Sequence, residues 1–270
     1  DTQIVIAELG SNAPGEIAAL AKTAAPDVAA ITNVYPVHLA GFGTVENIAA
    51  EKVSIRFGLV QNGQLIINGD CDVLRTYCRD NFVKALTFGF SSGCDIQGSD
   101  LNLDAAGSSF KINGRTVQLG VLGRANVENA LACFAICSQF GTKAADFAGA
   151  VATYRPVSMR LEQVQFGNIT VLNDCYNANP ASMKNAVETL VFLAERNHRR
   201  AVLICGTMAE LGPDAAKIHR QIGEFARQKG VKQLVAAGDF ADEYAAGAGD
   251  SAKYFANKKE LCDNLQNLIK

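Results

Sequence analysis

Apolar and polar positions along the chain follow two alternating periods. Ile4, Val5, Ile6 and Ala7 form an unbroken apolar run, the pattern of a strand buried on both faces of a parallel sheet. The run begins almost at residue 1 with no Met before it, so a chain lacking its earlier part is expected. Helical spacing follows over 15–24 (GEIAALAKTA), then a strand over 28–34 and a helix over 44–57. A strand at LIING, a helix over 72–80 and a strand at ALTFGF come next. Short segments over 94–120 read as antiparallel strands, and NVENALACFAICSQF reads as an amphipathic helix over 126–140. Strand–helix alternation calls for a parallel sheet, here with a β-rich insertion.

Pro156 in TYRPVSMRLE interrupts a helical stretch, and the pattern restarts behind it. Strands at QVQF and ITVLND precede a helix from Pro180 and a strand at AVLICG. A helix over 214–228, a strand at QLVAAG, a helix over 240–246, a strand at KYF and a helix over 258–269 complete a second α/β unit. The expected domains are 1–155 and 156–270. A length of 270 residues agrees with two domains at about 150 residues each.

Composition narrows the class. Hydrophobic residues make up 49% and charged residues 19%, which excludes wholesale disorder, collagen and coiled coil. Lys and Arg number 25 against 27 Asp and Glu, so the basic excess that nucleic acid demands is missing. No apolar run approaches the roughly 18 residues of a membrane span, and no secretory pattern is visible. None of the 8 Cys forms a C-x-x-C or has zinc spacing. Cys205 in AVLICG, and Cys133 and Cys137 in the helix near 126–140, read as small buried hydrophobes in a reducing compartment, the cytoplasm.

Some side chains stand where chemistry is expected. Glu8 ends the first strand pattern and shares a face with Ile4 and Ile6. Open parallel sheets bind ligands beyond the carboxyl ends of their strands, where a carboxylate suits a divalent cation; a Glu turned to water is the other reading. His38 lies with Asn33 in the loop NVYPVHLAGFG on the same rim, as a ligand or as a plain surface imidazole. GFGTVE in that loop imitates a dinucleotide fingerprint but lacks its third Gly and does not directly leave a strand, so that reading is rejected.

Lys52 falls on the apolar stripe of Val45, Ile48, Ala49, Ile55 and Leu59. Burying an ammonium is costly unless it is paired or neutralised. That leaves a lysine of altered chemistry or one that snorkels to water. In NITVLNDCYNANPASMKNA, Asp174 ends a strand, and Asn179 with Pro180 makes an N-cap followed by Pro at the first helical position. Such a turn suits phosphates or polar ligands. Turn and cap chemistry explains Asn179 and Pro180 but not Asp174, Tyr176 and Asn177.

ELGSN, ITNVYPVHLAGFGT, the Lys52 helix, GRANVENALA, RLE, NDCYNANPASM and GTMAELG with a following His219 occur in this order. Together they resemble the Mur ligases over nearly the whole chain. The resemblance implies an α/β fold: a partial parallel-sheet, ATPase-type central domain followed by a Rossmann-like C-terminal domain. It implies ATP and Mg2+ as cofactors, and UDP-N-acetylmuramoyl-tripeptide and D-alanyl-D-alanine as partners in peptidoglycan synthesis. ATP would phosphorylate the terminal carboxylate of the tripeptide; the amine of D-alanyl-D-alanine would attack the acyl phosphate, and phosphate would leave. By the same resemblance Glu8 and His38 hold magnesium beside Lys52 as a carbamate, and these three are the expected catalytic residues. Asn126 and Asn129 would contact adenine, and Arg160 and Asp174 the phosphates and ribose. Tyr176, Asn177 and Asn179 would line the same face toward substrate. The alternatives are a non-catalytic nucleotide- or partner-binding remnant and a related ATP-dependent amide ligase such as folylpolyglutamate synthase.

The chain also departs from the family pattern. Val53-Ser54 replaces the usual Gly-Glu after the lysine, Ser158-Met159 the usual Pro-Gly before Arg160, and Thr207 the usual Asp after Gly206. No G-x-x-x-x-G-K-[ST] occurs in the 270 residues, so this chain alone is expected to be inactive.

Overall fold

The structure, a computed structural model, describes residues 2–35, 39–104, 107–155 and 157–268. The expected domain break at Pro156 and the candidate ligand His38 lie outside the described residues. In chain order the first elements are α1 (Glu16–Ala24), β1 (Val28–Ile31), α2 (Leu39–Phe42), α3 (Val45–Val53), β2 (Gln64–Asn68) and α4 (Asp72–Asp80). There follow β3 (Leu86–Gly89), β4 (Ile96–Asp104), β5 (Gly107–Ile112), β6 (Arg115–Leu119), α5 (Arg124–Ser138) and α6 (Ala144–Val151). Then come β7 (Glu162–Phe166), β8 (Ile169–Asn173), α7 (Pro180–Arg196), β9 (Val202–Cys205) and α8 (Ala215–Lys229). The chain closes with β10 (Gln233–Ala237), α9 (Ala241–Ala248), β11 (Ala252–Phe255) and α10 (Lys258–Leu268). The chain divides into two units: Asp1–Asn102, Ser109–Gln118 and Asn126–Thr153 form one, and Leu103–Ser108, Leu119–Ala125 and Tyr154–Lys270 the other.

In the first unit, β1, β2, β3 and β4 run parallel, and the sheet continues in sequence order through β5 and β6. Helices bridge β1 to β2 and β2 to β3, as parallel pairing requires. Only Asn113 and Gly114 separate β5 from β6, both at positive φ (50° and 75°), a two-residue turn that joins antiparallel strands. This is the expected β-rich insertion. Ile48, Ala49 and Val53 of α3 and Leu74 and Cys78 of α4 pack on Ala29, Ile31, Leu65 and Ile67 to form the core. The segment GFGT is not a phosphate turn: Gly43 sits at φ 74°, and the Thr44 hydroxyl caps α3 by accepting the Asn47 amide.

Two expectations fail in this unit. Residues 4–7 are not a buried strand. They are irregular, with Ile4 70%, Val5 81% and Ile6 94% exposed. A strand exists only through a partner, and β1 pairs only with β2, so no described strand lies beside this run. Cys133 is exposed and Cys137 half-buried, because the buried stripe of α5 runs through Val127, Leu131, Ala132 and Ala135. The expectation holds for Cys205, which is buried and pushed up to about 12 by that burial, far from the reactive thiolate range. All eight cysteines are free.

In the second unit, β11, β10 and β9 form a parallel sheet in that order, and β7 and β8 form an antiparallel hairpin. The strand period of two places Leu234 and Ala236 with α7, α8 and α9. It turns Val235 to Leu261 and Leu268 of α10. Helices thus cover both faces of β10. α8 and α9 cross at small residues: a Cβ on Gly223 would lie 2.2 Å from the Tyr244 carbonyl oxygen, and one on Gly247 2.0 Å from that of Arg220. Among the described residues no helix is long and apolar enough to cross a membrane.

Candidate functional site

The chemistry-bearing turn of the second unit follows β8. α7 starts there because Asn179 accepts the Ala181 and Ser182 amides at 3.0 and 2.9 Å, while the Ser182 hydroxyl accepts the Asn179 amide at 3.0 Å. This is a reciprocal cap, with Pro180 at the first helical position. The side-chain oxygen of Asn179 is thereby committed to the helix start. The Asn177 side-chain oxygen accepts the Ala178 amide at 2.9 Å.

Asp174 reaches elsewhere. Its Oδ1 accepts the Leu161 amide at 3.0 Å, while the Tyr176 amide donates to the Met159 carbonyl at 3.2 Å. Two hydrogen bonds thus fasten segment 159–161 to the turn. Between them Arg160, itself exposed, lays its guanidinium over the Tyr176 ring, 4.3 Å from the centroid. Burial pushes the Asp174 carboxyl above its ordinary range, against the opposing pull of the Leu161 amide and the Arg160 charge. A half-buried acid beside a displayed guanidinium can receive a polar, partly anionic ligand.

Segment 158–161 is conformationally costly. Met159 and Leu161 lie at φ 62° and 50°, where side chains with a Cβ are disfavoured. Glu162 helps to hold it: its Oε2 accepts the Met159 amide at 2.9 Å and the Ser158 hydroxyl at 2.8 Å. These bonds hold the Glu162 carboxyl below its ordinary range.

In the first unit, Asn126 is half-buried on the first turn of α5 and Asn129 is exposed three residues on, a spacing that puts both on one helix face. Glu8 is exposed on the irregular first segment rather than at a strand end. Lys52 is only half-buried on α3, and the buried charge of that helix is Glu51, 6% exposed. Glu51 accepts the Gly15 amide at 2.7 Å and the Ile17 amide at 2.8 Å, satisfying the start of α1, whose N-cap Gly15 provides no side chain. Sequence reading missed Glu51. Its signal is a Gly at the N-cap of α1 that needs an acceptor from elsewhere.

The structure brings Arg160, Asp174 and Tyr176 together and adds Glu162 behind them. Glu8 and Lys52 share no hydrogen bond or ion pair among the described residues, and the third expected member, His38, lies outside them. Among the described residues no three His, Cys, Asp or Glu side chains form a metal-holding group.

A family model described as the Mur ligase middle domain matches residues 1–137, and one described as the Mur ligase, glutamate ligase domain, matches 159–270. A UDP-N-acetylmuramoyl-tripeptide–D-alanyl-D-alanine ligase of Bacillus subtilis (strain 168) is 31% identical over 97% of this chain and 58% of its own length. The crystal structure of MurF from Acinetobacter baumannii superposes with a TM-score of 0.87 at 27% identity, covering 97% of this chain and 57% of that one. MurF ligase from Thermotoga maritima in complex with ADP has a TM-score of 0.80 at 23% identity over 96% of this chain and 60% of that one; at that identity the likeness speaks for the fold alone. The chain spans under two thirds of the length of these relatives, and it belongs to the Mur ligase family, carrying matches to both its middle and its C-terminal domains.

Proposed function

We propose that the protein containing this chain joins D-alanyl-D-alanine to UDP-N-acetylmuramoyl-tripeptide with ATP as the energy source, as a step of peptidoglycan synthesis in the cytoplasm. Residues 1–155 are its partial ATP-binding central domain and 156–270 its C-terminal domain. The carrying observation is the fastened turn in which Asp174 holds segment 159–161 and Tyr176 supports the Arg160 guanidinium.

In this reading the tripeptide carboxylate attacks the γ-phosphorus of ATP, giving an acyl phosphate and ADP. The amine of D-alanyl-D-alanine then attacks the acyl carbon; phosphate leaves and the nitrogen loses a proton. Charge develops on phosphoryl oxygens in both steps, so fixed cations and donors do most of the work. Arg160 supplies one cation, supported by the Tyr176 ring 4.3 Å away. Asp174 orients the segment that carries Arg160 and offers its remaining oxygen to the nucleotide. Asn126 and Asn129 hold the adenine edge, and Tyr176, Asn177 and Asn179 face the substrate. Magnesium, when bound, would neutralise phosphate charge; Glu8, His38 and a carbamylated Lys52 are its proposed holders.

The test is phosphate release from ATP by the intact protein, required to depend on both UDP-N-acetylmuramoyl-tripeptide and D-alanyl-D-alanine. This chain by itself should show no turnover. Equal release with D-alanyl-D-alanine replaced by glutamate and a folate would replace this reading with the folylpolyglutamate one. Lys52→Ala should lose most turnover and regain part of it in added acetate or formate.

A further inference from the structure

His219, on the second turn of α8, is fully buried, at 0% exposure. Both of its ring nitrogens face backbone. The Met208 amide lies 3.0 Å from Nε2 and the Ala215 carbonyl oxygen 2.7 Å from Nδ1. A backbone amide can only donate and a carbonyl can only accept. Nε2 must therefore carry the lone pair and Nδ1 the proton. The Nε2–H tautomer and the imidazolium both place a hydrogen against the Met208 N–H, so neither fits. The ring is held in this pose by Phe240, stacked at 4.8 Å and 28°, and by Tyr244, edge-on at 4.9 Å and 82°.

What the ring holds is the loop 206–211 beyond the carboxyl end of β9. Its other ties differ in kind. The Tyr244 hydroxyl donates to the Gly206 carbonyl at 3.2 Å, and the Thr207 hydroxyl donates to the Asp239 carbonyl at 2.9 Å. Met208 is 2% exposed, so its amide has no water to turn to if the imidazole is lost. Past it the chain bends through Glu210 at φ 61° and Gly212 at φ 64°, a path that offers no helical or strand ladder to hold it.

We propose that His219 is a positioning residue. As the neutral Nδ1–H tautomer it pins the Met208 amide and so sets the place of loop 206–211 on the carboxyl-end rim of the second unit's sheet. Being fully buried, it touches no substrate. It acts through the loop, whose part in seating the acceptor dipeptide rests on the ligase reading above, since parallel sheets bind ligands at that rim.

The test uses the intact protein and two amide replacements. In His219→Gln the side-chain oxygen reaches the level of Nε2 and still accepts the Met208 amide. In His219→Asn the amide stops at the level of Nδ1 and cannot reach it. Hydrogen exchange at Met208 should stay near that of the unsubstituted protein in His219→Gln and quicken by about tenfold in His219→Asn, the scale of one buried hydrogen bond lost. KM for D-alanyl-D-alanine should rise severalfold in the Asn variant only. Equal exchange at Met208 in both variants, with circular dichroism intact, overturns the proposal. Should His219→Asn fail to fold, imidazole 15N shifts of the unsubstituted protein decide: a pyrrole-type Nδ1 with a pyridine-type Nε2 supports it, and the other tautomer or an imidazolium overturns it. Quickened exchange in His219→Asn with unchanged KM and kcat keeps the pin and removes the ligase role of the loop, so the two readings fail separately.

Discussion

Asp174 Oδ1 accepts the Leu161 amide at 3.0 Å, and Leu161 lies at φ 50°. One carboxylate therefore stabilises the far end of a strained segment and stands beside the guanidinium that the segment displays.

This bond makes Asp174 a test of role. Burial raises its pKa, so the ionised form is disfavoured in the folded state, and the sign is that of a cost. The cost is present above the folded pKa and disappears as pH falls through it toward the unfolded value of 3.8. Asp174→Asn keeps an acceptor for Leu161 and removes the charge. Its melting temperature at neutral pH should equal or exceed that of the parent, while KM for ATP rises or kcat falls in the intact protein. A lower melting temperature with normal kinetics would assign Asp174 to structure alone.

Met159 occupies φ 62° where Mur ligases usually have Gly. A left-handed residue with a Cβ costs about 1–2 kcal/mol, and the extra unfolded-state freedom of Gly returns about 0.5–1 kcal/mol of that. Met159→Gly should therefore raise stability by about 0.5–1 kcal/mol in urea unfolding. A loss of stability would mean that the Met159 side chain, 39% exposed, contributes packing that outweighs its backbone.

Glu51 holds two amides at the start of α1. Glu51→Ala leaves the buried Ile17 amide and the part-buried Gly15 amide without this acceptor, at a cost of about 2–4 kcal/mol. Glu51→Gln keeps one acceptor and should cost roughly half as much. Urea midpoints of the two variants check the order, and a larger loss for Gln would overturn it.

Glu162 carries the opposite sign to Asp174. The Met159 amide and Ser158 hydroxyl hold its pKa below the ordinary 4.5. Its grip on segment 158–161 is therefore present above pH 4.5 and lost as pH falls through the lowered folded value. The Met159 amide resonance should move in that acid range, and Glu162→Gln should flatten the response. A Met159 amide that stays fixed through the acid range would detach Glu162 from the loop.

Periodicity made much of this fold readable. The helix expected over 72–80 is α4, Asp72–Asp80, and the strand expected at QLVAAG is β10, Gln233–Ala237. Both patterns are strong enough to survive context. The run Ile4–Ala7 misled because apolar composition says that a segment would suit a sheet, not that a partner strand lies beside it. Lys52 is less buried than its stripe predicts for a different reason. A stripe extrapolated along α3 passes Val53, where the helix ends and a 3-10 turn, Ser54–Gly58, begins. Each residue turns a helix by about 100°, so the buried charge falls on Glu51 instead. Its partners lie 34 and 36 residues away, a separation no local spacing encodes. The Asp174 turn was legible because Asn179 and Pro180 account for the cap, leaving Asp174 and Tyr176 unexplained by it.

The non-local cap on α1 also bears on the order of folding. A nine-residue helix is too short to persist alone in water, and this one borrows its N-terminal acceptor from Glu51. α1 therefore gains its final stability only after the intervening loop has closed and α3 has formed. It should be a late arrival with low φ-values, and substitutions in it should chiefly speed unfolding rather than slow folding.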